Sequence, residues 1–196
     1  MRVDLSSYSS AQFDRGAGKL REGLWLLVSL VLFRLCPFSL SGLKSAVLRA
    51  FGAKIGRGVV IKPQVKITFP WKLEVGDFVW LGEECWLLNL DRIVIGSNVC
   101  ISQRAFLCTG NHNYRVPTFD LMVKPITIAD GAWLGAACWV GPGVKAGSHA
   151  VLTACSVMTG DMEPWGIYHG NPAVFVKQRT IETPESLSRE SRLSVN

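Results

Sequence analysis

Three histidines could supply acid–base chemistry near neutral pH, and their settings differ. His112 closes the run Thr-Gly-Asn-His at 109–112, where a stretch of about fifteen residues, Gly110 to Lys124, departs from the regular pattern on either side. An imidazole at the root of such a loop suits a general base, because a hydroxyl is a weak nucleophile until its proton is accepted. A surface or capping histidine is the bland alternative. His149 and His169 follow at separations of 37 and 20 residues. Three converging histidines would make a zinc site, but none of them form a pair a few residues apart, and the six cysteines contain no C-x-x-C.

These residues need a rigid support, and the sequence supplies one in a period of six. Aliphatic or near-aliphatic residues recur at Ile55, Ile61, Ile67; Val75, Leu81, Leu87; Ile95, Ile101, Leu107; Ile128, Leu134, Val140; and Ala146, Leu152, Met158. Steps between the triplets are 8, 8, 21 and 6, so extra residues enter at one recurring corner. A helix repeats near 3.6 and a strand at 2, so a period of six implies short straight faces joined by turns. Three faces make a triangular coil, and five triplets make about five stacked coils. The second hexad position is often Gly, as at Gly82 and Gly135, and the fifth is small, as at Val99 and Cys138. Five of the six cysteines fall inside the repeats, where Cys serves as a small apolar filler, and this suggests a reduced cytoplasmic setting.

The departures carry the functional signal. Thr-Gly-Asn-His, the loop after it, Ile-Ala-Asp-Gly-Ala-Trp-Leu-Gly at 128–135 and Gly-Asn-Pro-Ala at 170–173 resemble the hexapeptide-repeat sugar acetyltransferases. The resemblance is nearest to the colanic-acid-biosynthesis type, with maltose and galactoside acetyltransferases as broader relatives. It implies an all-β fold, a left-handed parallel β-helix; the period alone does not fix the hand. It also implies transfer of an acetyl group from acetyl-CoA to a hydroxyl of a sugar or oligosaccharide, with His112 as base and no metal requirement. Asn89 matches an asparagine that helps hold the acceptor, with a stacked corner amide as the equal alternative. Trp133 matches a cleft tryptophan, and Tyr114 and Arg115 are loop candidates for acceptor contacts, although an ordinary solvated loop explains them as well. For the donor, Gly135, Ala136, Ala154 and Thr159 match positions along the pantetheine arm, and Lys177 or Arg179 would meet the nucleotide phosphates. Position 160 is Gly where many relatives carry Lys, which removes one phosphate contact. The resemblance further implies a homotrimer with sites at the subunit boundaries, in exopolysaccharide biosynthesis. Acetylation of another small acceptor, such as a drug or an amino sugar, a non-catalytic trimeric scaffold and a metal-dependent hydratase are the alternatives.

The 196 residues divide into a basic, apolar lead-in at 1–50, a β-helix at 51–163 with its loop at 110–125, and an extension at 164–196 whose Ser-, Glu- and Arg-rich end is expected to be loose. Residues 1–57 hold nine basic side chains against three acidic ones, and the remainder balances at twelve against twelve. The repeat body therefore lacks the basic stripe that nucleic-acid binding needs. Residues 24–35 are apolar on every side of a helix but too few to span a bilayer. They either cap the open end of the coil or hold residues 20–44 against the inner face of a cell membrane whose anionic lipids attract the basic residues.

Overall fold

The computed structural model describes residues 2–10 and 13–182. From residue 183 the tail expected to be loose lies outside the described residues.

From Lys54 to Met158 short strands wind around three flat faces. The first face stacks 54–55, 73–75, 93–95, 126–128 and 145–146; the second stacks 60–61, 80–81, 100–101, 133–134 and 151–152; the third stacks 66–67, 86–88, 106–108, 139–140 and 157–158. All neighbours within a face are parallel, and the predicted aliphatics fall in register. Ile61 pairs with Leu81, Leu81 with Ile101, Ile101 with Leu134, and Leu134 with Leu152. All five are fully buried, forming a continuous apolar column. The hexad glycines follow from close coil stacking. A Cβ on Gly82 would lie 2.5 Å from the backbone nitrogen of Gln103, and one on Gly135 would lie 2.5 Å from that of Ala154. The fourth hexad position takes left-handed backbone, as at Gln64, Glu84, Asn98, Arg104 and Ala137, so each corner is a tight turn.

A sixth, partial turn follows that the period of six does not mark. Met162 bridges to Ala146, and the strand Gly166–Gly170 continues the second face by pairing Tyr168 with Leu152. Met162 follows Met158 after four residues rather than six, and the inward residues are now Met162 and Tyr168 with Pro164 between them, so the step into this turn and the residue types both depart from the hexad. Ala173–Gln178 then turns back antiparallel on Gly166–Gly170 and forms the edge strand of the second face.

The other end is closed by the lead-in, which forms two helices, α1 (Lys19–Val28) and α2 (Ser41–Ala50), with α1 continuing as wider π-helical turns through Leu35. An open coil edge exposes unpaired backbone groups, which proteins cover. Trp25 donates its indole N–H to the Ile67 carbonyl at 3.1 Å, and Ser41 accepts from the Ile61 amide at 2.9 Å. Arg49 donates to the carbonyls of Ile55 and Gly56, and the Gln64 amide bonds the Phe33 carbonyl. The buried Lys44 ammonium donates to the carbonyls of Phe38 and Lys62, and burial holds its pKa below the usual lysine value.

Candidate active site

The long gap between Leu107 and Ile128 is built as a hairpin rather than an irregular loop. Gly110–His112 pairs antiparallel with Leu121–Val123, setting His112 opposite Leu121. Its root is fixed by buried Thr109, which donates its hydroxyl to the Leu88 carbonyl and accepts from the Asp91 amide, both at 2.9 Å. The His112 backbone is held as well, its amide donating to Asn111 Oδ1 at 2.7 Å.

The His112 ring is half-buried and held in two ways by Phe119. Its Nδ1 lies 2.8 Å from the Phe119 carbonyl oxygen, and the two rings stack at 4.5 Å and 8°. A carbonyl can only accept, so Nδ1 carries the hydrogen in the neutral ring and Nε2 keeps its lone pair. Phe119 has φ of +51°, an uncommon conformation for a bulky residue, held by the hairpin. Tyr8 packs at 6.0 Å from the His112 ring, and the Asp4 amide bonds the Pro117 carbonyl, so residues 4–8 lie along the hairpin. Sequence reading missed Phe119 and Tyr8: neither stands in a motif, and both reach the site only through the hairpin's fold.

Beside this cluster lies a cavity of about 760 Å³. Its polar lining comes from Ser7, Ser9, Ser10 and Asp14 of the lead-in, Lys72, Asp91 and Arg92 of the coils, and Thr118 and Asp120 of the hairpin. Leu121, directly across the ladder from His112, also borders it. Hydroxyls, carboxylates and two cations around a concave space offer the donors and acceptors that suit a polyhydroxylated ligand.

The remaining candidates divide. Asn89 has no exposed surface: its Oδ1 accepts from the amides of Thr68 and Phe69, and its Nδ2 donates to the Phe69 carbonyl. It is the corner amide of the two readings, since its polar atoms are turned into the wall. Tyr114, in the turn of the hairpin, is 71% exposed with Arg115 over its ring. Trp133 lies half-exposed on the second face, donating its indole N–H to Ser102 Oγ. Gly135, Ala136 and Ala154 meet at one corner of adjacent coils, where the Cys155 amide bonds the Ala136 carbonyl, and Thr159 is exposed after the last strand of the third face. Arg179 is elsewhere. Its guanidinium donates to the carbonyls of Gly131 and His149 at a different corner, so it clamps the returning strand and Lys177 is the exposed basic alternative. The histidines are also apart: His149 packs against Trp165, and His169 bonds Thr153. Among the described residues no three His, Cys, Asp or Glu side chains gather as metal ligands.

No family model matches the chain. The chain is 39% identical over 180 residues to WcaF of Escherichia coli (strain K12), named as a colanic acid biosynthesis acetyltransferase, a match covering 92% of this chain and 98% of that one. This chain belongs to the hexapeptide-repeat acetyltransferases. A hexapeptide-repeat acetyltransferase of Vibrio cholerae O1 biovar eltor, solved with acetyl coenzyme A, superposes with a TM-score of 0.73 at 24% identity, covering 88% of this chain and 92% of that one. A galactoside acetyltransferase solved with coenzyme A superposes with a TM-score of 0.71 at 20% identity, covering 82% and 80%. These likenesses in fold make the winding left-handed, against the usual crossover rule for parallel strands.

Proposed function

We propose that this acetyltransferase moves the acetyl group of acetyl-CoA onto a hydroxyl of a sugar or oligosaccharide, in the assembly of an exopolysaccharide. The observation that carries the reading is the Nδ1 contact of His112 with the Phe119 carbonyl, which leaves Nε2 as a proton acceptor. The acceptor oxygen attacks the thioester carbonyl while its proton passes to Nε2. Collapse of the tetrahedral intermediate breaks the carbon–sulfur bond, and the imidazolium returns the proton to the departing coenzyme A sulfur. Backbone amides near the hairpin root stabilise the oxyanion.

The sugar assignment draws on WcaF and on the polar cavity that Leu121 links to His112. Tyr114 and Arg115 extend that acceptor side from the hairpin. On the donor side, Gly135, Ala136, Ala154 and Thr159 receive the pantetheine arm, Lys177 meets the phosphates and Trp133 walls the cleft, between two subunits of a homotrimer. Peripheral membrane association through residues 20–44 is a separate part of the proposal and does not depend on the transfer chemistry.

His112→Ala should lower acetyl-CoA-dependent thiol release in the presence of acceptor by about 10² to 10⁴-fold, with the melting temperature kept. Full activity in that variant would remove His112 as the base. Mass spectrometry of polysaccharide from cells with and without the protein should locate the missing acetyl group.

A further inference from the structure

The outer side of the lead-in helix is unlike a surface made for water. α1 and its π-helical continuation turn Trp25 and Phe33 inward, at 2% and 1% exposure, and these close the first coil. On the opposite side, Leu20, Leu24, Leu27, Val31 and Leu35 form one exposed stripe at helical spacing, with Leu20 at 89% exposure. Phe38, in the turn before α2, extends it. A surface helix normally presents charge on this side, and an aliphatic stripe of this length marks a contact surface. No helix among the described residues is long and apolar enough to cross a membrane.

Charge identifies the occupant. Lys19 and Arg34 stand exposed near the two ends of the stripe with no ion pair among the described residues. Between residues 19 and 49 the one carboxylate is Glu22, and Arg15 holds it at 2.8 Å, pulling its pKa down through that hydrogen bond. A second copy of this surface would bring cations against cations with no free acid to answer them. A bilayer rich in anionic phospholipid offers hydrocarbon for the leucines and phosphates for Lys19 and Arg34.

We infer that the α1 stripe is a docking surface for an anionic bilayer, lying in the plane of the headgroups while its inner side closes the prism. Leucines enter the acyl boundary, and the two cations stay among the phosphates. Docking is independent of His112, so the two ideas fail separately. The test is co-sedimentation of the full chain with vesicles of phosphatidylglycerol and phosphatidylethanolamine, against vesicles of phosphatidylcholine alone. Thiol release from acetyl-CoA and light scattering are run on the same samples. The parent should pellet with the anionic vesicles. Leu24→Glu/Leu27→Glu/Leu35→Glu should lose on the order of tenfold in vesicle affinity or more, while keeping its melting temperature and thiol release. Lys19→Glu/Arg34→Glu, which leaves the leucines in place, should lose the preference for anionic vesicles on the order of tenfold. Failure of the parent to bind either vesicle overturns the inference, as does equal binding by the leucine variant. A change in assembly mass in the leucine variant without parent vesicle binding overturns it too, and makes the stripe a contact between copies. Vesicle binding without thiol release would leave docking intact and remove the acetyl-transfer reading.

Discussion

At the scale of single residues, His112 depends on Phe119 for both its tautomer and its plane. The carbonyl fixes which nitrogen holds the proton, and the stacked ring resists rotation about the bond that would swing Nε2 away. Phe119→Ala keeps the carbonyl and removes the ring. It should lower kcat about tenfold, with the KM for acetyl-CoA unchanged, since stacked aromatic pairs contribute about 0.5–1.5 kcal/mol. Steady-state kinetics with varied acetyl-CoA measure this, and an unchanged kcat would mean the backbone alone orients the base. Buried cysteines give a contrast. Burial pushes the thiols of Cys85 and Cys138 up to about 12, so they act as apolar fillers rather than nucleophiles.

At the scale of elements, the lead-in helices bond the open edge of the first coil, and Lys44 is the costly part of that closure. Its charged form is desolvated, so its pKa in the folded chain lies below the ordinary 10.5. In the window between the lowered value and 10.5 the unfolded chain binds more protons, and this lysine's contribution to stability therefore rises with pH. Below the lowered value that contribution is flat. Cys85 and Cys138 act in the opposite sense, because their folded values are raised and the unfolded chain releases its protons first. The informative quantity is thus the difference between parent and Lys44→Met. That variant leaves the Phe38 and Lys62 carbonyls without their donor, and the stability of the parent relative to it should rise as the pH climbs toward 10.5, as followed by urea midpoints. A gap independent of pH would mean Lys44 titrates normally in the folded chain. Lys72 is lowered by burial in the same way and remains in both proteins, so its slope cancels.

At the scale of the whole molecule, a single chain leaves Trp80, Trp133 and Trp86 substantially exposed on the outside of two faces. Such aromatic surface on a rigid prism fits walls shared with neighbouring subunits. Light scattering should therefore give a mass three times 21.5 kDa. A monomeric mass in an active preparation would place the whole site within one chain and remove the shared cleft. Stacking also sets how the site is held: each coil pairs only with its neighbours, so the hairpin root at Thr109 takes its position from the coils on either side.

The period of six alone was enough to specify three faces, the in-register aliphatic columns from Ile55 to Met158, and the place where the regular chain gives way at His112. That information is local: a coil turns two residues in every six inward, a large aliphatic on the face and a small one near the corner, and residue size at each hexad position records it. Only the folded chain decided what surrounds His112. The bond to Phe119, the left-handed backbone that permits it and the approach of Tyr8 join residues distant in sequence, and no period marks such contacts. The same holds for the readings left open. Asn89 turns its amide into the wall because two backbone amides meet it there, and Arg179 clamps a corner because two carbonyls converge on it. The lead-in faces both ways for a like reason: its composition is apolar all round, and packing against the first coil settled which side is covered.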